Sequence, residues 1–218
     1  MRGGWQVHSW RVADDSQDDA LATSVRAKLT TGELATATTL VVHGHGPQIL
    51  GYLTAMARHE ADAQDAFSQF CEDLWRGLPG FQWRTSLRTW CYVLARNALH
   101  RQRQGAPQRH GAHLAPSEVP ELAALAEQVR TATAEFMRTE TRSRFAELRD
   151  RLDPDDRTLL ILRIDRRMPW RDIAEVIAQA DETSEPADIT RRAAALRKRF
   201  ERLKLSLREH LGVGRDEP

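Results

Sequence analysis

The sequence predicts an all-α fold, built as two small helical domains joined by a flexible linker. Apolar residues recur every three or four positions along nearly the whole chain of 218 residues, and no stretch shows the strict alternation of a half-buried strand. Between Gln102 and Pro120 that periodicity lapses, and Gly105, Pro107, Gly111, Pro116 and Pro120 cluster among Gln and His, the composition of a linker. The expected divisions are an N-terminal extension at 1–17, a helical domain at 18–103, a linker at 104–120 and a second helical domain at 121–218.

Each element follows from its local residues. The first 17 residues read as loosely structured, and weak helices follow at 18–30 and 33–43. His43-Gly44-His45-Gly46-Pro47 reads as a break, with a helix restarting at Pro47, whose fixed φ suits a first turn, and running to Arg58. From Asp62 the pattern sharpens. Ala63, Ala66, Phe67, Phe70, Cys71, Leu74 and Leu78 form one buried stripe, while Asp62, Asp65, Gln69, Glu72, Asp73 and Arg76 make an acidic outer face. Gly77-Leu78-Pro79-Gly80 ends this helix, Phe81–Ser86 reads as a loop, and a helix over 86–103 buries Leu87, Cys91, Leu94 and Ala98. After the linker comes a long polar helix to Leu152. Asp153-Pro154 supplies an N-cap and an N1 proline for a helix to Asp165. Pro169 opens a short helix with Trp170, Ile173, Ala174 and Ile177. A final helix runs from Asp188 to Leu211, ~36 Å at 1.5 Å per residue.

Composition narrows the function classes. Hydrophobic residues make up 41% of the chain, enough for packed cores, and no run reaches the ~18 apolar residues of a spanning helix. The N-terminus lacks the apolar core of a secretory signal. Cys71 and Cys91 alone make neither a disulfide framework nor a metal pattern. A reduced, cytoplasmic protein is the expectation. Net charge is only +1 but unevenly spread. Met1–Trp75 carries ten acids and five bases. No acid lies between Asp73 and Glu118, where seven arginines stand. Asp188–Leu211 holds eight bases against three acids. Two basic segments beside an acidic one point to two polyanion contacts and one surface facing another partner.

The last two helices have the order of a helix-turn-helix, in which one helix enters the major groove and the other braces it. Ile189, Ala193, Leu196, Phe200, Leu203 and Leu207 form the buried seam, leaving Thr190, Arg191, Ala194, Ala195, Arg197, Lys198 and Arg202 outward. Arginine bonds guanine edges, both basic types neutralise phosphate, and the small Ala194 and Ala195 let the helix axis approach the groove floor. A solvated basic face on a packing helix is the competing reading. The turn at 179–187 also exceeds the usual 3–4 residues.

The middle segment is the most informative. Asp62-Ala63-Gln64-Asp65, Leu74-Trp75-Arg76-Gly77-Leu78, Phe81, Leu87-Arg88-Thr89-Trp90 and Leu94-Ala95-Arg96-Asn97 together resemble the region-2 domain of bacterial extracytoplasmic-function (ECF) RNA polymerase sigma factors. Asp172-Ile173-Ala174-Glu175-Val176-Ile177 and the helix after it are similar to region 4 of that family. The resemblance spans residues 20–211 and rests on the joint order and spacing of motifs that are individually weak.

Trp90 and Asn97, seven apart and ~700° around a helix, share a side, with Arg101 near the same line. An aromatic and an amide on a basic surface can stack on an unpaired base and bond its edge. Extruding a base costs a few kcal/mol and stacking returns about 1–3 kcal/mol, so loop and phosphate contacts must tip the balance. Phe81, Trp83, Arg84, Arg88 and Arg96 are placed to supply them. The resemblance implies that Phe81, Trp83, Arg84, Arg88, Trp90, Asn97 and Arg101 melt and hold the −10 strand. It also implies that Thr190, Arg191, Ala194, Ala195, Arg197 and Lys198 read the −35 duplex. Asp62, Asp65, Gln69, Glu72 and Arg76 would dock on the clamp coiled coil of the polymerase β′ subunit. Core RNA polymerase, promoter DNA and an anti-sigma factor are the implied partners, and no residue demonstrates the last. Core packing competes for Trp90, a polar surface role for Asn97 and simple solvation for the acidic face. Three departures stand out: Trp83 replaces a usually small residue, Ser68-Gln69 a glutamine-glutamate pair, and Arg101 an acid four beyond the asparagine.

No catalytic activity, cofactor or metal is expected. His43-Gly44-His45 has no third ligand at suitable spacing. His100, His110 and His113 read as solvated, and no nucleophile-base constellation has local support. The alternative is a stand-alone helix-turn-helix regulator with an N-terminal dimerisation or sensing domain. The roles of Trp5 and Trp10 stay open.

Overall fold

The computed structural model describes residues 9–57, 59–104, 124, 126–129, 131, 152–178 and 186–211, and every regular element among them is helical. Helix α1 (Ser9–Thr30) begins well inside the segment expected to be loose. From Ser9 to Thr30 there is neither glycine nor proline to stop it. Val25 is buried, and Leu21 and Leu29 pack on the core. Gly32, at φ +77°, supplies the left-handed turn into α2 (Leu34–Met56).

The break expected at His43–Pro47 is absent. Helix α2 runs through Pro47, although an interior proline costs ~3 kcal/mol. Burial offsets that cost: Val41, Val42, Ile49, Tyr52 and Leu53 are wholly enclosed. The two glycines are there for close packing. A Cβ on Gly44 would lie 2.4 Å from Leu21 Cδ2, and one on Gly46 would lie 3.3 Å from Val129 Cγ1.

Helix α3 (Glu60–Gly77) buries Ala63, Ala66, Phe67, Phe70, Cys71 and Leu74, the expected stripe, and a 3-10 turn at Leu78–Gly80 follows. Helix α4 (Leu87–Arg103) is capped by Ser86, whose hydroxyl accepts from the Thr89 N–H at 3.0 Å. It buries Leu87, Cys91 and Ala98 of its expected stripe, leaves Leu94 partly buried, and encloses Thr89, Tyr92, Val93, Ala95 and Leu99 as well.

The C-terminal helices explain that second buried face. Asp153 caps α5 (Pro154–Leu160) by accepting from the Asp155 and Asp156 N–H groups at 2.9 and 3.0 Å. A wider π-type turn (Ile161–Asp165) leads on to α6 (Trp170–Ile177) and α7 (Pro186–Leu211). Helices α5 and α6 lie against α2 and α4. Tyr52 Oη is 3.4 Å from Thr158 Oγ1, Arg96 pairs with Asp155 at 2.7 Å, and Arg88 donates to the Arg166 carbonyl at 3.0 Å. Thr89 donates to Asp172 at 2.9 Å, and Thr85 donates to Glu175. Arg166 reaches α2 where Gly51 leaves room: a Cβ there would lie 2.8 Å from its Nη2. One apolar cluster runs continuously through both groups of helices. The expected linker from 105 on, most of the polar helix at 121–152 and the turn at 179–185 fall outside the described residues. Among the described residues no helix is long and apolar enough to cross a membrane.

Candidate nucleic-acid interface

The loop between α3 and α4 and the outer side of α4 bring three aromatic residues into one ladder. Phe81 stacks on Trp90 with centroids 4.5 Å apart and planes 18° from parallel. Trp83 packs on Phe81 at 4.8 Å, tilted by 53°. The Arg26 guanidinium of α1 lies 4.1 Å from the Trp83 ring centroid. At the opposite end Trp90 lies over Gly77, where a Cβ would be only 2.9 Å from Cζ2. The order is therefore Arg26, Trp83, Phe81, Trp90, Gly77. All three rings are half-buried, which makes Trp90 neither a pure core residue nor a free surface one.

Trp83 takes a backbone conformation unusual for a bulky residue, φ +58°, at a cost of roughly 1–2 kcal/mol. Ring contact on one side and the guanidinium on the other offset that strain, each worth ~0.5–1.5 kcal/mol. Asn97 is half-buried two turns along α4 from Trp90. Arg101, on the same line, pairs with Asp73 of α3, so the acid missing from its own position is supplied across the helix pair. Arg84 is exposed in the loop.

The other two α4 arginines look elsewhere. At 100° per residue Arg88 lies ~160° and Arg96 ~120° around the helix from Trp90. Only 11% of the Arg88 side chain and 16% of the Arg96 side chain are exposed. Arg88 also lies 3.6 Å from Asp18 of α1, which stands 3.9 Å from buried His45. In helical α2 the two imidazoles of His43-Gly44-His45 diverge, His43 exposed and His45 enclosed.

On α3, Asp65 and Arg76 are exposed, while Asp62, Gln69 and Glu72 are partly buried. Gln69 donates to Glu72 at 3.4 Å and to Asp73 at 3.1 Å, and Arg76 reaches Glu72 at 3.5 Å. Asp62 accepts from Gln102 at 3.4 Å. The acidic face is thus a network tied to α4 at two points.

Helix α7 buries Ile189, Leu196, Phe200 and Leu203, with Trp170 of α6 edge-on to Phe200 at 5.4 Å. Arg199 braces it on α5, 2.9 Å from Asp153 and 2.5 Å from Asp156. Thr190, Arg191, Ala194, Ala195, Arg197 and Lys198 are all exposed. Arg191 is 79% exposed and pairs with Asp188 at 2.7 Å; Arg197 lies 5.8 Å from the Trp170 ring centroid.

Two participants carried no signal in the linear sequence. Gly77 reads there as a helix terminator, and Arg26 lies 57 positions from the ring it covers. Only the packing of α1 and α3 against the loop reveals them.

Residues 41–106, 66 of the 218, match the family model Sigma-70 region 2. The matched segment takes in the later half of α2, all of α3, the loop and α4, and so contains the aromatic ladder and the acidic face. The match supports a sigma-70 family factor with a role in promoter recognition, and implies binding to core RNA polymerase and promoter DNA. No match emerges among curated proteins.

Proposed function

We propose that this chain is a sigma factor of the extracytoplasmic-function type, without catalytic activity of its own, which lends promoter specificity to core RNA polymerase in the cytoplasm. The observation that carries this reading is the ladder Trp83–Phe81–Trp90 beside Asn97, on a segment with no acid from 74 to 117. A π-surface on a basic ground suits unpaired bases of any sequence, each stack being worth about 1–3 kcal/mol. In this role α4 and the loop hold the opened −10 strand. The acidic face of α3, centred on Asp65, docks on the polymerase clamp, a basic coiled coil being its natural complement. The outward face of α7 reads the −35 duplex, Arg191 and Arg197 being long enough to reach base edges and Ala194 and Ala195 low enough to let them. The domains at 18–103 and 121–218 act at separate DNA elements, with 104–120 spanning the distance once the contacts of α5 and α6 on α2 and α4 open on assembly. A family-typical anti-sigma partner would cover one of these faces.

Transcription from a candidate promoter, with core polymerase and the purified chain added separately and together, tests this. The expected result is a promoter-specific transcript only from the mixture, with co-elution of the two on gel filtration. Tight duplex binding by the chain alone, with no core-dependent transcript, would reject the reading in favour of a stand-alone regulator.

A further inference from the structure

We propose that Arg26 of α1 and Trp83 of the loop form a base-stacking slot at the open end of the ladder, into which an unpaired DNA base enters between guanidinium and indole. The inference rests on the strand-capture reading above and adds α1 to that surface. The ladder is closed at its inner end, because Trp90 is held between Phe81 and the backbone at Gly77, with no room even for a Cβ. Phe81 has a ring on either side. The face that an incoming base can take is therefore the outer face of Trp83, covered by Arg26 at 4.1 Å.

Arg26 is suited to share that face. It is exposed, and among the described residues no carboxylate lies within 4 Å of its guanidinium. Among the described residues the Trp83 ring is the partner its charged group meets, the long side chain can rise by a change of rotamer, and a planar guanidinium stacks on a base as readily as on an indole. Trp83, whose backbone is left-handed, meets α1 through the Arg26 guanidinium. The ligand class is a single-stranded DNA base, taken by stacking and therefore with little sequence preference, while the cation lies close enough to the adjacent phosphates to add a salt-dependent contact.

The test uses the full chain assembled with core polymerase and a fork-junction promoter DNA whose −10 strand is already unpaired. Affinity is measured over a range of salt for wild type, Arg26→Ala, Arg26→Lys and Trp83→Ala. Arg26→Ala is expected to weaken binding about five- to tenfold and to flatten the salt slope by about 0.7. Arg26→Lys keeps the slope but not the affinity, because the ammonium retains charge without the planar stack. Trp83→Ala loses at least as much, and adding Arg26→Lys to it costs nothing further. Wild-type affinity in both Arg26 variants, or full rescue by lysine, would overturn the slot while leaving strand capture by the rest of the surface, through Asn97, Arg84 and the ring edges, intact. A wild-type holoenzyme that does not prefer fork over closed duplex DNA would remove the strand-capture reading and the slot together.

Discussion

Gly77→Ala perturbs the ladder from beneath without changing any residue that faces DNA. The added Cβ would lie 2.9 Å from Trp90 Cζ2 and 3.3 Å from Cη2, so the indole must withdraw by roughly 0.5 Å or more to regain ordinary contact near 3.5 Å. It cannot withdraw freely, because Phe81 stacks on it at 4.5 Å and Trp83 stands behind Phe81. The displacement passes along all three rings. Overpacking of this kind costs about 1–3 kcal/mol, against a gain of up to ~1 kcal/mol from replacing glycine at the end of a helix. The net expectation is a loss of ~0–3 kcal/mol, a fall in Tm of up to roughly ten degrees for a chain of this size. Promoter opening, followed by fluorescence of 2-aminopurine placed in the −10 strand, should fall tenfold or more, because misplaced rings lose the stacking that offsets base extrusion. The double variant Gly77→Ala/Trp90→Phe, with a smaller ring, should recover stability and show strong coupling between the two sites. Unchanged opening in Gly77→Ala, with a wild-type melting curve, would refute the claim that this glycine sets the position of Trp90.

Three further outcomes are expected. Arg191→Ala should lower discrimination among −35 sequences by about 1–3 kcal/mol if the side chain reaches a base edge; competition binding showing equal loss on every sequence would make it a phosphate contact. Asp65→Arg, at an exposed site on α3, should weaken assembly with core polymerase while leaving the melting curve in place, and unchanged affinity in a titration would return that face to simple solvation. Burial, reinforced by neighbouring Glu175, raises the Asp172 carboxyl above its ordinary range, against the Thr89 hydrogen bond and the Arg171 and Arg88 guanidinium groups. The folded chain thus holds this proton more readily than the unfolded chain, and the group adds stability as pH falls through its raised value. In urea unfolding, the wild type should gain on Asp172→Asn as pH drops from neutrality into the carboxyl range, whereas a pH-independent gap would contradict it.

Legibility in the sequence followed locality. The α3 stripe from Ala63 to Leu74 and the Asp153-Pro154 start of α5 rest on spacing and on residues within one turn, and both stand as expected. Pro47 misled because its local cost is overridden by burial on both sides of it, and Gly44 and Gly46 because they answer to Leu21 and Val129 rather than to a turn. The second buried face of α4, with Tyr92, Ala95 and Leu99, was not read from the sequence, because it becomes a buried face only where α5 and α6 pack on it. In the same way Arg88 and Arg96 read as cations available to DNA, while the structure places them against Arg166 and Asp155. The aromatic ladder was half legible: Phe81, Trp83 and Trp90 were chosen for their chemistry, whereas their stacking order, the glycine beneath and the arginine above depend on tertiary approach.

Permanganate footprinting of a promoter incubated with core polymerase, with this chain, and with both tests the central claim most directly. Thymines of the −10 strand should become reactive only when both are present, and Trp90→Ala should abolish that reactivity while sparing assembly with the polymerase. A −10 region that stays paired in the mixture, or opening that survives removal of the Trp90 indole undiminished, would contradict the account.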